Sequence, residues 1–154
     1  SIVKKLKRDG CEVTIENMVE HLNDIAGIRI ICSFMSDIYP IADMIARQAD
    51  ITVLHVKDYI KYPKANGYKS YHMVVTIPVY LSEGKRDTKV EIQIRTIAMD
   101  FWASLEHKIY YKFEGSAPDY ISRDLQECAG IVSKLDEKML SLNEAILEAK
   151  AEQS

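Results

Sequence analysis

The stretch Tyr62-Pro63-Lys64-Ala65-Asn66-Gly67-Tyr68-Lys69-Ser70-Tyr71-His72, followed downstream by Val90-Glu91-Ile92-Gln93-Ile94-Arg95-Thr96, carries most of the information in this chain. The first segment is a Pro/Asn/Gly turn that delivers lysines, tyrosines and a histidine into an alternating strand. The second alternates strictly, so Glu91, Gln93 and Arg95 share one face while Val90, Ile92 and Ile94 share the other. Such a layout suits a nucleotide site. Each half also has an ordinary reading, since Asn-Gly between apolar runs is a common turn and Glu/Gln/Arg alternating with Val/Ile is a common wet sheet face.

Working outward, residues 1–9 read as the end of a basic helix stopped at Gly10, and 16–22 as a short second helix. Residues 27–34 are almost all apolar apart from Arg29 and predict a buried central strand. Ile38, Ile41, Ala42, Ile45 and Ala49 have helical spacing over 36–49. Strands are expected over 51–60, 70–81 and 89–96, the last two joined through Ser82-Glu83-Gly84-Lys85. Ile97, Phe101, Leu105 and Ile109 then mark a helix ending near Lys112, with Phe101 and Trp102 expected in the core. A break at 114–118 precedes a heptad-spaced stripe of Ile121, Leu125, Cys128, Val132, Leu135, Met139, Leu142 and Ile146. That stripe suits either a helix folded back on its own sheet or burial against another subunit, because roughly 30 helical residues span about 45 Å. The expected fold is α/β (α+β), a mixed sheet of four or five strands flanked by helices with a long C-terminal helix.

The chain has 154 residues, 47% hydrophobic and 28% charged, enough for one domain with a real core. A formal charge of -3 excludes a polycation that binds any nucleic acid indiscriminately. Cys11, Cys32 and Cys128 show no metal-binding spacing and read as reduced thiols of a cytoplasmic protein. Neither a membrane-length apolar run nor a signal peptide is visible, and a start at Ser1 reads as that of a fragment.

With Asp24-Ile25-Ala26-Gly27-Ile28-Arg29 upstream, the order Asp-x-x-x-x-Arg, Pro-Lys-x-Asn-Gly-Tyr-Lys-Ser-x-His and Glu-x-Gln-Ile-Arg-Thr resembles the synthetase domain of the RelA/SpoT family, which makes pppGpp and ppGpp. Residues 98–107 resemble the stand-alone small alarmone synthetases in particular. The resemblance implies a nucleotidyltransferase-like core over 1–113, with 114–154 a helical extension of the same domain that serves oligomerisation, as a tetramer. It implies transfer of pyrophosphate from ATP to the 3'-hydroxyl of GTP or GDP, as in the stringent response. Asp24 and Glu91 would hold Mg2+, with Glu91 the base for the 3'-hydroxyl. Mg2+ takes few protein carboxylates and keeps phosphate oxygens and waters, which suits two acids. Acceptor binding would fall to Lys64, Asn66, Tyr68, Lys69, His72, Gln93, Ala103 and Glu106, with Tyr68 stacking on guanine and Glu106 reading its edge. Donor ATP would meet Ser1, Arg29 and Lys57.

One departure concerns the family's upstream Arg-x-Lys-x-x-x-Ser pattern, of which only the final Ser1 stands here, followed by Lys4 and Lys5. The chain as written is therefore expected to bind acceptor better than it turns over. No His-Asp pair of the metal-dependent hydrolase type is present, so hydrolysis of the product is not expected. Two other readings stay open: a nucleotide-sensing or RNA-binding module of the same fold without catalysis, and a scaffold built around the heptad helix. A nucleotide or RNA regulator is a further possible partner, and a membrane is not.

Overall fold

A computed structural model describes residues 2–20, 23–113 and 116–154, without the side chains of 16–20 and 23–25. Five strands form one mixed sheet in the order β1-β2-β5-β4-β3: β1 Glu12–Glu20, β2 Asn23–Cys32, β3 Thr52–Asp58, β4 Tyr71–Leu81 and β5 Gly84–Thr96. β2 runs parallel to β5, and the other neighbours are antiparallel. Four helices accompany the sheet: α1 Ile2–Arg8, α2 Ile38–Ala46, α3 Ile97–Lys112 and α4 Asp119–Glu152.

Alternation along the inner strands explains why they sit centrally. Ile30 on β2, Met73 and Val75 on β4, and Ile92 and Ile94 on β5 are all buried, and Ile38, Ile41, Ala42 and Ile45 of α2 pack into the same cluster with Leu6 of α1. Each such side chain contributes about 1.5–3 kcal/mol on burial. The opposite face of these strands is left to polar residues. Between β4 and β5 only Ser82 and Glu83 turn the chain, with Gly84 at φ +125°, a left-handed conformation that favours glycine. β5 thus begins at Gly84, earlier than the expected 89, because the hairpin keeps pairing as far as Leu81 with Gly84.

Two expectations are corrected. Residues 16–20 belong to β1 and not to a helix, because β1 pairs with β2 as far as Glu20 with Asn23, and cross-strand pairing overrides the weak helical pattern; 21–22 lie outside the described residues. On α3 the inward face is Met99, Trp102 and Ala103, whereas Ile97, Phe101 and Leu105 are exposed. The reason lies at the junction: Thr96 ends β5 and caps α3, its hydroxyl accepting the Met99 N–H at 3.1 Å, which fixes the rotation of the helix. The expected break at 114–115 lies outside the described residues.

α4 packs back on α3 through Leu125 and Ala129 against Trp102 and Ala103, and the Trp102 indole donates to the Leu125 carbonyl at 2.8 Å. It also buttresses the turn before β4. Gly67 stands at φ +96°, where an added Cβ would come within 2.4 Å of Ala129 Cβ, and Gln126 Nε2 donates to the Ala65 carbonyl at 3.0 Å. Further along, Asp136 is 4% exposed and accepts from the Thr96 hydroxyl at 2.6 Å, so one threonine caps α3 and ties down α4. Beyond this point the stripe of Leu135, Met139, Leu142 and Ile146 is exposed.

Burial raises the Asp136 carboxyl above its usual range, with the Thr96 hydroxyl and Lys69 opposing. A raised acid binds a proton more readily folded than unfolded, so its contribution to stability falls as pH rises through that window. Asp136→Asn, which can still accept from Thr96, is expected to gain melting temperature over the parent at pH 7–8 and to lose that gain near pH 4. Thermal melts across this range measure it, and a gain that does not vary with pH would show that the charge is not the cost.

Candidate nucleotide site

Strand register brings the site together. Arg29 of β2 lies opposite Gln93 of β5, Gln93 opposite His72 of β4, and His72 opposite Lys57 of β3. At about 4.8 Å per strand these four positions form one polar row roughly 15 Å long. The adjacent row sets Gly27, Glu91, Val74 and His55 side by side, a bulge between Val53 and His55 bringing the histidine into line.

Over these rows lies a cavity of about 340 Å3 lined by His55, Lys57, Tyr59, Lys64, His72, Val74, Lys89 and Glu91. Among the described residues its one carboxylate is Glu91, and three lysines face it. Such an excess of positive charge around one acid is what a polyphosphate needs to be held.

A hydrogen-bonded chain runs beneath. Glu91 Oε1 accepts from Gln93 Nε2 at 3.2 Å and lies 3.3 Å from His72 Nδ1. The other imidazole nitrogen, Nε2, lies 2.9 Å from the Tyr68 hydroxyl. Arg95, 5% exposed, donates through Nη2 to the Tyr68 oxygen at 3.3 Å and to Gln93 Oε1, and through Nη1 to Asp100 at 3.2 Å. Arg29 Nε is 3.9 Å from the same Asp100 oxygen. Asp100 sits in the first turn of α3, where the helix dipole favours a carboxylate.

Burial holds the His72 imidazole down at about 4, with Arg95, Lys64 and Lys57 acting in the same direction. Neutral His72 therefore presents Nδ1 to Glu91 and shares a hydrogen bond at Nε2 with the Tyr68 hydroxyl, which accepts from Arg95. Burial raises the Tyr68 phenol, which keeps it neutral as well. The contact between His72 and Glu91 is thus that of a neutral imidazole with a carboxylate and not an ion pair at neutral pH.

Above the chain, Tyr59 and Tyr68 meet edge to face with centroids 6.0 Å apart, and the Lys64 ammonium lies 4.9 Å from one ring and 5.0 Å from the other. Tyr68 is half-buried behind the cavity-lining Tyr59 and packs on its other side against the cluster of Trp102, Ala103, Leu125 and Ala129. The Asn66 side-chain oxygen accepts the Tyr68 N–H at 3.0 Å, so Asn66 builds the turn that presents the tyrosine.

The structure therefore gathers Lys57, Lys64, Tyr68, His72, Glu91, Gln93 and Arg29 in one region. Lys69 is directed elsewhere, lining a groove with Gly67, Ala129 and Ser133 on the α4 side. Ala103 is buried in the cluster that also contacts Tyr68, while Glu106, half-buried one turn further along α3, is not among the cavity-lining residues. Asp24 pairs through its backbone with Val19, two residues before the first rung between β2 and β5; its side chain, like all of Ser1, lies outside the described residues. Sequence reasoning missed Tyr59, His55, Lys89 and Asp100. Only Lys89 carried a local signal, being two residues before Glu91 on the same strand face.

For Mg2+, the donor set fits as far as it is described. Glu91 uses Oε1 for both protein contacts, which leaves Oε2 with no hydrogen bond among the described residues and beside the cavity. A single hard oxygen completed by phosphate oxygens and water suits this ion. Among the described residues no group of three or more His, Cys, Asp or Glu forms a protein-only cage.

Comparison with known proteins identifies the family of the chain. Residues 1–116 match the family described as the region found in RelA / SpoT proteins. The chain belongs to the RelA/SpoT family. It is 53% identical over 146 residues to the GTP pyrophosphokinase YwaC of Bacillus subtilis, covering 95% of this chain and 70% of that protein. With the GTP pyrophosphokinase YjbM of the same organism it shares 40% over 151 residues, 98% of this chain and 70% of the relative. Among solved structures, small alarmone synthetase 2 from B. subtilis superposes with a TM-score of 0.78 at 51% identity, covering 94% of this chain and 74% of that one. Small alarmone synthetase 1 from B. subtilis bound to its product pppGpp gives 0.77 at 38% identity, covering 95% and 74%.

The depressed His72 carries a prediction of its own. The unfolded state binds the proton near pH 6.5 and the folded state near 4, so stability is complete above 6.5 and is lost as pH falls through that window. Imidazole 15N shifts are expected to report a neutral His72 at pH 5.5. A midpoint near 6.5 would contradict the buried chain.

Proposed function

We infer that this chain is a GTP pyrophosphokinase that transfers pyrophosphate from ATP to the 3'-oxygen of GTP or GDP. The observation that carries the reading is Glu91, the single carboxylate among the described residues of a lysine-lined cavity walled by Tyr59, with Tyr68 edge-on behind it, in a chain 53% identical to YwaC. In the transfer the 3'-oxygen forms a bond to the β-phosphorus of ATP, the bond from that phosphorus to the α,β-bridging oxygen breaks, and its electron pair leaves with AMP. The hydroxyl proton passes to Glu91. The products are AMP and pppGpp or ppGpp.

Each neighbour has a part that its position supports. Lys57, Lys64 and Lys89 offset phosphate charge, a contribution that grows as the site loses water. Tyr68 offers a ring to the guanine, and stacking of this kind is worth roughly 1–3 kcal/mol. An incoming base would take the place of the Lys64 ammonium over that ring and free the lysine for phosphate. His72 and Gln93 aim Glu91 by holding Oε1. Arg29 and Lys57, at the two ends of the polar row, are assigned to the donor, and Glu106 with Ala103 to the guanine edge. Asp24 and Glu91 would hold Mg2+, which when bound supplies charge neutralisation on the donor phosphates.

The assembly is read from α4. Residues 1–113 form the synthetase core and 114–154 an oligomerisation element of the same domain, because Leu135, Met139, Leu142 and Ile146 remain exposed at 55%, 47%, 50% and 56%. A homotetramer in the cytoplasm, regulated by a nucleotide or RNA, is the arrangement proposed. No helix of the described residues is long and apolar enough to cross a membrane. Light scattering is expected to give more than one subunit, and Leu142→Glu to lower the mass; a parent that is already monomeric would remove the assembly reading.

Glu91→Gln tests the chemistry. It preserves shape and the contacts of Oε1 but removes the base, so thin-layer chromatography with ATP, GTP and Mg2+ is expected to lose the AMP and pppGpp spots, about 100-fold or more in kcat. Full activity in that variant would refute the role of Glu91. If the parent shifts its melting temperature with nucleotide yet releases no AMP, the protein is a binding module of the same fold.

A further inference from the structure

Arg95 is the least exposed charged side chain of the polar face, and nothing said so far gives it a part in the reaction. It does not line the cavity. Its guanidinium reaches the Tyr68 hydroxyl, Gln93 Oε1 and Asp100 Oδ1 at once and stands 5.7 Å from the centre of the Tyr68 ring. These partners come from three elements: the turn before β4, β5 itself and the first turn of α3. A planar fork with fixed donor directions can bind three such acceptors where the point charge of a lysine cannot.

The geometry of the ring is closed. Arg95 grips Gln93, Gln93 grips Glu91, Glu91 Oε1 lies 3.3 Å from His72 Nδ1, and His72 Nε2 hydrogen-bonds the Tyr68 hydroxyl that Arg95 also holds. We propose that Arg95 is a positioning residue that sets the acceptor site, locking the Tyr68 ring in the attitude that receives the base and joining it to the carboxylate, with Asp100 as its anchor. A bare strand-end ion pair needs only the contact with Asp100. Holding Tyr68 and Gln93 as well directs the side chain to the acceptor half of the site, so the cost of disturbing it falls on acceptor binding and not on ATP.

The inference rests on the pyrophosphokinase reading and is tested by a double-variant cycle. Tyr68→Phe keeps the ring face and deletes only the hydroxyl; Arg95→Lys keeps the charge and deletes the fork. Each is expected to raise the KM for GTP about tenfold while the KM for ATP stays within about twofold, the scale of one lost charge-assisted hydrogen bond. Because both remove the same contact, the double variant is expected to exceed the worse single variant by no more than about twofold. Multiplicative effects, a parallel rise in the KM for ATP, or an unchanged KM for GTP in folded Arg95→Lys would each overturn the proposal. Should Arg95→Lys fail to melt cooperatively, Asp100→Asn takes its place in the cycle, with the same expectations for GTP only, because Asp100 also adjoins Arg29 of the donor side. GDP binding by calorimetry runs beside the kinetics on the same proteins. A parent that binds GDP without releasing AMP sinks the catalytic reading alone, and the proposal is then decided by whether both variants weaken GDP to the same non-additive degree. A parent that neither binds nor turns over sinks both.

Discussion

The register of β5 against both its neighbours is the constraint on which this site depends. β5 pairs parallel with β2 and antiparallel with β4, so Gln93 has Arg29 on one side and His72 on the other while Glu91 faces Gly27 and Val74. A slip by a single residue would exchange Glu91 and Gln93 for Ile92 and Ile94, turning the site into a greasy face and the core into a charged one. Full burial of Ile94 and Val75 opposes that slip strongly, since each lost aliphatic burial costs about 1.5–3 kcal/mol. The hydrophobic core therefore sets catalytic geometry indirectly, by deciding which rung each polar side chain occupies.

A second consequence concerns charge. Several cations gather where, among the described residues, one carboxylate enters the cavity, and mutual repulsion at short range is costly wherever water is scarce. The protein relieves it by leaving His72 neutral, tucking Arg95 below the surface against Asp100, and laying the Lys64 ammonium between two tyrosine rings, where cation–π attraction offsets about 0.5–1 kcal/mol at a partly exposed site. A polyphosphate would supply the missing negative charge, and the Lys64 ammonium could then exchange its two rings for a phosphate contact.

What the sequence made legible is local. Strict alternation in 90–96 reveals the two faces of β5, and the Pro-Lys-Ala-Asn-Gly-Tyr turn reveals a backbone kink with an aromatic behind it, because both signals lie within a few residues. β1 was obscured because its pattern fits neither period well, and pairing with β2 decides the matter. Asp100 was invisible because its meaning arises only when α3 starts directly from β5, bringing a residue five positions on back to Arg95 and across to Arg29. Lys69 seemed a phosphate ligand from its place beside Tyr68, but neighbours in an extended segment face opposite ways, and it goes to the α4 side.

The same locality explains α4. Its heptad stripe was easy to see, but the face that meets the domain, Leu125, Ala129, Val132 and Asp136, shares only Leu125 and Val132 with that stripe and adds small and acidic positions that no apolar pattern would select. Ala129 is small because the backbone of Gly67 comes right up to it, and Asp136 is acidic because the cap of α3 offers a hydroxyl there. Close approach to the acceptor turn thus dictates the inner face of the helix, while its apolar stripe beyond Leu135 is free to serve another surface. One helix accordingly answers two demands on two faces, and substitutions on the outer stripe should leave the position of Tyr68 untouched, whereas substitutions at Gln126 or Ala129 act on the turn that carries it.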